Sequence, residues 1–355
     1  MSLQYKSLVI AAGLAALVAG ASAQPYSFRA LGTLGGVDSY GRSVNSQGMV
    51  VGYSRNSAGN YRAFKWVDGQ MTDLGTLGGQ RSYAYAVNDA GMIAGEAQRA
   101  DGTYRAFLYD GSQMIDLGTL GGNESFARGI TADGKVVGSS RLANGETRAF
   151  YYDGTTMRQL PTLGGNFAEA YGVNSLGQVV GHSRNALGQN QAFIWDPATN
   201  QITGLGSLGG SASIATGINS DGLIVGAARK ASGANAATMW HSSGILDIGT
   251  LGGPESWAYG INEFGYIVGS STMPNGSDRG FFYDGESLHD LNQLVRFSSS
   301  WVLQRGLGIS DAGHITGYGS FNGRLQGFVM NPVPEPASMT ALAIGLIALA
   351  RRRRR

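Results

Sequence analysis

Five arginines, Arg55, Arg99, Arg141, Arg184 and Arg229, recur 42 to 45 residues apart, each just after a short β-branched or apolar stretch and a glycine. A guanidinium presents a planar fork of donors that matches a carboxylate, so a row of them on one rim suits bidentate binding of an acidic polysaccharide or an acidic envelope protein. These five are the candidate ligand rim. Their bland alternative is pairing with nearby acids on a solvated face. Other chemistry has weaker support. His182, His241, His289 and His314 occupy unrelated positions and form no metal-ligand motif, and no serine lies in a strand-turn-helix nucleophile context. Asp110, Asp153 and Asp284 precede glycine at matching turns, and Asp73, Asp116, Asp247 and Asp290 match one another at strand ends. Recurrence with the fold marks them as turn formers and cross-strand partners rather than as an acid and base pair. No catalytic residue, metal or cofactor is therefore expected.

The elements that carry the arginines repeat. The block Leu-Gly-Thr-Leu-Gly-Gly begins at Leu31 and returns in recognisable form at Leu74, Leu117, Leu160, Leu205 and Ile248, a period of 43 residues broken once by 45. Such a period, with four strand-like segments in each, is the mark of a β-propeller. A first strand ends in Asn-x-x-Gly turns at Asn45, Asn88, Asn174, Asn219 and Asn262, with degenerate copies at Thr131 and Ser310. The second strand reads Val50-Val51-Gly52 and its copies; the third reads Arg62-Ala63-Phe64-Lys65-Trp66, with period two. Fourth strands run through Met71, Met114, Met157, Ile202, Ile245 and Leu288. The final set, from Leu303 to Met330, has only three strands, and the missing pattern stands at Tyr26 to Leu31. The sequence thus predicts an all-β, seven-bladed propeller of four-stranded blades closed by the N-terminal strand, with a β-solenoid of 43-residue coils as the alternative. The recurring Phe64, Phe107, Phe150, Phe193, Phe281 and Phe328 read as core.

Both ends carry addresses. Lys6, an apolar run from Leu8 to Ala19 and then Ala21-Ser22-Ala23 before Gln24 have the layout of a secretory signal peptide, cut after Ala23. The C-terminus carries Pro334-Glu335-Pro336, an apolar stretch from Ala337 to Ala350 and then Arg351, Arg352, Arg353, Arg354 and Arg355 as a membrane stop. As a helix that stretch rises about 21 Å, short of a hydrocarbon core of roughly 30 Å. Both terminal apolar segments are expected to be short targeting helices. The charged residues of the two end segments are Lys6 and the five tail arginines, which are basic, and Glu335, the one acid, so the body between the addresses is net acidic although the whole chain is +2. An acidic body excludes a nucleic-acid partner.

The C-terminal arrangement resembles the PEP-CTERM sorting signal of Gram-negative bacteria, carried here by Pro334, Glu335 and Pro336. The resemblance implies signal peptidase and exosortase as processing partners. It also implies an inner-membrane intermediate held by the C-terminal segment, and then an extracellular or cell-surface location. Proteins with this signal are associated as a group with exopolysaccharide production and biofilm or floc formation. The Arg-Ala-Phe phrase, with its accompanying Leu-Gly-Thr-Leu-Gly-Gly and Val-Asn-x-x-Gly signatures, resembles extracellular HAF repeats over roughly Tyr26 to Met330, with Arg or Gln where that motif has His.

The reading divides the chain into a signal peptide (1–23), a propeller (24–331) and a sorting and anchor tail (332–355). The expected function is a non-enzymatic, surface-sorted repeat protein that binds extracellular matrix or exopolysaccharide or acts structurally in the envelope. A glycan-active hydrolase or lyase on the same scaffold, and a purely structural protein without a ligand, stay open. The first strands also carry small residues at the joints, among them Gly172. Gly172→Leu is expected to overpack its joint and cost about 1 to 3 kcal/mol, measured by thermal or denaturant unfolding.

Overall fold

A computed structural model describes residues 25–297 and 300–333. The signal-cleavage residues Ala21, Ala23 and Gln24, the sorting residues Pro334, Glu335 and Pro336, Arg351 to Arg355 and both terminal targeting helices therefore lie outside the described residues. The chain is all-β, a propeller-like set of antiparallel four-stranded sheets with a single short 3-10 helix, Leu291–Gln293, among the described residues. The first unit consists of Gly35–Val44, Val50–Asn56, Tyr61–Val67 and Gln70–Asp73, each paired with the next. Five further units, whose first strands begin at Gly78, Gly121, Gly164, Gly209 and Ser256, repeat this order. Five sheets are separate and four-stranded; the third and fourth units merge into one of eight strands through a parallel pairing of Thr147 with Phe167.

The last sheet contains Trp301–Ile309, Ile315–Phe321 and Arg324–Pro332, and its fourth strand is Tyr26–Ala30. That strand runs antiparallel to the C-terminal one, with Phe28 opposite Met330. Among the described residues no sheet closes on itself.

Local chemistry explains the sheet geometry. In the first turn Gly48 donates to the Asn45 carbonyl at 3.0 Å, the Asn45 side chain accepts from the Gln47 and Met49 amides, and Gly48 sits at φ +77°. In the second strand a Cβ on Gly181 would fall on the Glu169 carbonyl oxygen, so only glycine lets the two backbones approach.

The core lies between units. Val51 and Ala63 of the first unit pack on Ala84, Ile93 and Phe107 of the second. The same joint recurs as Val137 and Ala149 on Ala170, Val179 and Phe193, and as Val225 and Ala237 on Ala258, Ile267 and Phe281. Leu31 and Val329 of the last sheet pack on Val44, Val50, Phe64 and Trp66 of the first unit. All six of the recurring phenylalanines are fully buried. The fifth unit has Thr238 in that place, also buried, within a regular strand Asn235–His241.

The first strand of each unit does not alternate strictly. Strict alternation would place Gly41 and Ser43 together, with Arg42 and Val44 on the other face. Instead Gly41 stands opposite Gly52 and Ser43 opposite Val51, so Arg42 is an extra, bulged residue. The bulge recurs at Tyr85, Arg128, Tyr171, Thr216, Tyr259 and Leu307. It splits the two small residues between faces and turns the bulged side chain out of the pleat.

Buried serines join five of the units to the one before; the fourth unit has Ala168 in that place. Ser82 donates to the Gly75 carbonyl at 2.6 Å and accepts from the Ala63 amide at 2.9 Å. Ser125, Ser213 and Ser256 repeat both bonds, and Ser39 makes them with Gly32 and with Gly327 of the last sheet. Ser82→Ala leaves both the Ala63 amide and the Gly75 carbonyl without this partner. It is expected to cost about 1 to 3 kcal/mol in denaturant unfolding, with the sheet content by circular dichroism unchanged.

Candidate functional site

The bulged residues and their neighbours converge on one another across units. Arg128 lies 3.9 Å over the Tyr85 ring and pairs with Glu96 at 3.0 Å, while Arg42 covers the same ring at 5.2 Å. Glu96 comes from the second strand, in register with Tyr83. Burial pushes the Glu96 carboxyl up, against the pull of Arg128. Burial also opposes the charge on Arg128, but Glu96 and then Tyr85 prevail and hold the guanidinium protonated. In the fourth unit Tyr171 donates to Glu169 at 2.5 Å and stacks on His182 with the ring planes 12° apart. His182 is 8% exposed, and its Nδ1 has no hydrogen-bond partner among the described residues.

A tyrosine cluster occupies the sector formed by the last sheet and the first two units. Ring centroids run Tyr318 to Tyr40 at 5.1 Å, Tyr40 to Tyr53 at 4.9 Å, Tyr53 to Tyr83 at 5.1 Å, Tyr83 to Tyr61 at 5.8 Å and Tyr83 to Tyr104 at 6.4 Å. All six rings are half-buried, which leaves part of each accessible. Burial first, and then neighbouring tyrosines, push Tyr40 and Tyr83 above the ordinary phenol range, so their hydroxyls stay neutral donors and acceptors at neutral pH. Arg305 extends the cluster, lying 5.8 Å from the Tyr318 ring and 5.9 Å from Tyr259. Tyr259 opens onto a cavity of about 460 Å³ that it lines with Trp257, Glu255, Asp278 and Arg305. Aromatic faces beside hydroxyls, carboxylates and a guanidinium form a surface suited to polar rings with apolar faces.

The five sequence-selected arginines flank the Leu-Gly-Gly segments: a Cβ on Gly36, Gly122, Gly165 or Gly210 would meet Arg55, Arg141, Arg184 or Arg229, and one on Gly79 the Arg99 carbonyl. They are not equivalent. Arg55, Arg141, Arg184 and Arg229 share one register position, whereas the second unit has Gln98 there, and Arg99 falls one residue later, opposite Gly78. In a strand that single step moves a side chain to the other face. Arg55 pairs with Asp38 at 3.4 Å and Arg141 with Glu124 at 2.8 Å. Arg99 lies 3.7 Å from Asp101 and 3.8 Å from Asp116. Arg184 sits over the Phe167 ring, and Arg229 is exposed with no acid partner among the described residues. The repeated aspartates are structural: Asp73, Asp116 and Asp247 each accept from the amide two residues on, at 2.8 to 2.9 Å.

Sequence reasoning missed Tyr40, Tyr53, Tyr61, Tyr83, Tyr104 and Tyr318, together with Trp257. The available signal was that Tyr53 and Tyr318 follow the second-strand glycine where other units have Glu96, Ser139, His182, Ala227 and Ser270. Variation inside an otherwise strict repeat marks positions that the fold leaves open.

Comparison with known proteins adds an address and a fold. Residues 332–355 match the PEP-CTERM protein-sorting motif. This motif marks an exported chain that exosortase processes at the membrane before it reaches the surface. No curated protein matches the chain. Among solved structures, a puromycin-hydrolyzing peptidase from Mycobacterium tuberculosis superposes with a TM-score of 0.54 at 13% identity, over 85% of this chain and 56% of the other. The Pyrococcus horikoshii acylaminoacyl peptidase gives 0.53 at 11% identity, over 86% and 54%. TolB from Acinetobacter baumannii gives 0.46 at 13% identity, over 68% and 64%. This chain thus spans less than two thirds of the length of each. The likeness to the two peptidases is one of fold, a propeller-like all-β body.

The buried His182 yields a pH test. Burial, opposed by Glu169, holds its pKa below the ordinary value of 6.5, so the folded ring is neutral where the unfolded one takes a proton. This contribution to stability is full above pH 6.5 and is lost as pH falls through the folded value. The melting temperature of the wild type is expected to fall more steeply from pH 7 to pH 5 than that of His182→Gln; parallel curves would contradict it.

Proposed function

We propose that this is an exported, non-enzymatic surface protein whose body, residues 24–331, is a seven-bladed propeller of HAF-type repeats closed by its N-terminal strand, and that it binds extracellular polysaccharide. Its tyrosine-lined surface is the binding site. The closed ring is supported by the pairing of Tyr26–Ala30 with the C-terminal strand and by the packing of Val329 against Phe64. The observation that carries the binding function is the run of accessible rings from Tyr104 through Tyr83, Tyr53, Tyr40 and Tyr318 towards Arg305. Sugar rings stack their C–H faces on aromatic side chains while phenol and guanidinium groups take up their hydroxyls. Several adjacent rings suit a polymer better than a single sugar. Cleavage before Gln24 and sorting through Pro334, Glu335 and Pro336 would deliver this surface to the matrix.

A second reading keeps the cationic rim. Arg184 and Arg229 have no acid partner among the described residues, so an acidic polysaccharide or envelope protein would engage them before Arg55, Arg99 or Arg141.

Binding of the full chain to a glycan array and to extracted exopolysaccharide tests both readings. Tyr40→Ala with Tyr53→Ala is expected to weaken binding about tenfold or more at unchanged sheet content. If loss instead follows Arg184→Ala with Arg229→Ala and added salt, the rim reading replaces the aromatic one. Absence of any saturable binding overturns both.

A further inference from the structure

The cavity beside Tyr259 departs from the repeat in a way that specifies a ligand. In the first and third units the residue before the stitching serine is an acid, Asp38 or Glu124, and the strand opposite supplies its cation: Arg55 for Asp38 at 3.4 Å, Arg141 for Glu124 at 2.8 Å. The sixth unit has the acid, Glu255, but Thr272 stands where the arginine would be. The Thr272 hydroxyl accepts from the Glu255 backbone amide and leaves the carboxylate uncompensated. Among the described residues only Asn235 hydrogen-bonds to that carboxylate, through long contacts of 3.4 and 3.5 Å.

A second acid faces the same space. Asp278 pairs across from Thr272, at a position held by Tyr61, Tyr104, Thr147, Asn190 and Asn235 in the other units. Its nearest cation is Arg305 at 3.8 Å, beyond hydrogen-bond distance. Arg305 is itself shared, donating to the Tyr259 hydroxyl at 3.1 Å. The cavity of about 460 Å³ therefore joins two carboxylates with spare acceptor capacity to the rings of Trp257 and Tyr259.

Resting on the polysaccharide reading, we infer that this cavity is a subsite for an amino sugar, a hexose unit bearing a free ammonium group. The ammonium supplies the cation that Thr272 does not, bonding to Glu255 and Asp278, while the sugar ring lies against Trp257 and Tyr259. Its volume lies in the range of small-molecule pockets. A bare metal ion would use the carboxylates and leave the aromatic wall idle; a neutral sugar would donate hydroxyls to the carboxylates but leave their charge uncompensated.

Calorimetry of the full chain with a glucosamine hexasaccharide, its fully N-acetylated form, a glucose hexasaccharide and spermidine tests this. The glucosamine oligomer is expected to bind about tenfold or more tightly than its acetylated form, since charge-assisted hydrogen bonds are lost on acetylation. Glu255→Gln with Asp278→Asn should remove that preference. Thr272→Arg should remove it too, by restoring the ion pair of the first and third units in a fold that already accepts it. Equal affinity for all three oligosaccharides overturns the subsite and leaves the polysaccharide reading standing. Spermidine binding as tightly as the glucosamine oligomer also overturns it, because the sugar ring then contributes nothing. Failure of every saccharide, extracted exopolysaccharide included, overturns both.

Discussion

A buried serine hydroxyl at each of five joints accepts a backbone amide from one unit and donates to a glycine carbonyl at the start of the next, and the structure depends on this small polar stitch. Ser82 illustrates it, held between the Ala63 amide and the Gly75 carbonyl. Without it, the third strand of a unit and the following Leu-Gly block would bury unpaired groups, each costing more than a formed hydrogen bond gains. Because the bond is short and directional, it sets the distance at which Val51 and Ala63 meet Phe107 and Ile93. The asparagine turns add a second stitch, Asn88 Nδ2 donating to the Thr131 carbonyl at 2.9 Å. With no cysteine in the chain, these polar joints and the apolar contacts between sheets carry the order that a disulfide framework supplies elsewhere.

A repeat stitched so regularly frees other positions from structural duty. The bulged residue of the first strand and the residue after the second-strand glycine make none of these joints. One sector uses them for Tyr53 and Tyr318, on which Tyr40 packs, with Tyr83 beside Tyr53, another for the buried pair of Glu96 and Arg128, another for His182 and Tyr171. The Glu96–Arg128 pair is costly to desolvate and would be replaceable by apolar residues on stability grounds alone. Its place beside Tyr85 keeps that ring oriented next to Tyr53. The sixth unit goes furthest from the repeat, with an acid facing a threonine and Trp257 beside it.

Much of the fold is legible in the sequence because its signals are local. The Asn45 to Gly48 turn, the Gly181 approach and the period-two third strand depend on residues close in the chain or on the volume of one side chain. The N-terminal strand was assignable to the last sheet because Tyr26 to Leu31 repeats the pattern that Leu303 to Met330 lacks. The site was less legible. The arginines were visible as a periodic row, but the step from Gln98 to Arg99 removes Arg99 from the register shared by the other four.

Taken by itself, the sequence determined the repeat, the four-strand order within a unit, the buried phenylalanine row and the sorting tail, since turn chemistry and periodicity act over a few residues. Only the tertiary structure decided which side chains face one another. A single bulge after Gly41 reverses the alternation that a linear reading relies on, and whether an acid such as Glu255 is compensated depends on the residue across the ladder, Thr272, which no spacing along the chain reveals. The tyrosine surface is decided in the same way, since Tyr318 and Tyr40 lie far apart in sequence and meet only where the last sheet packs against the first unit.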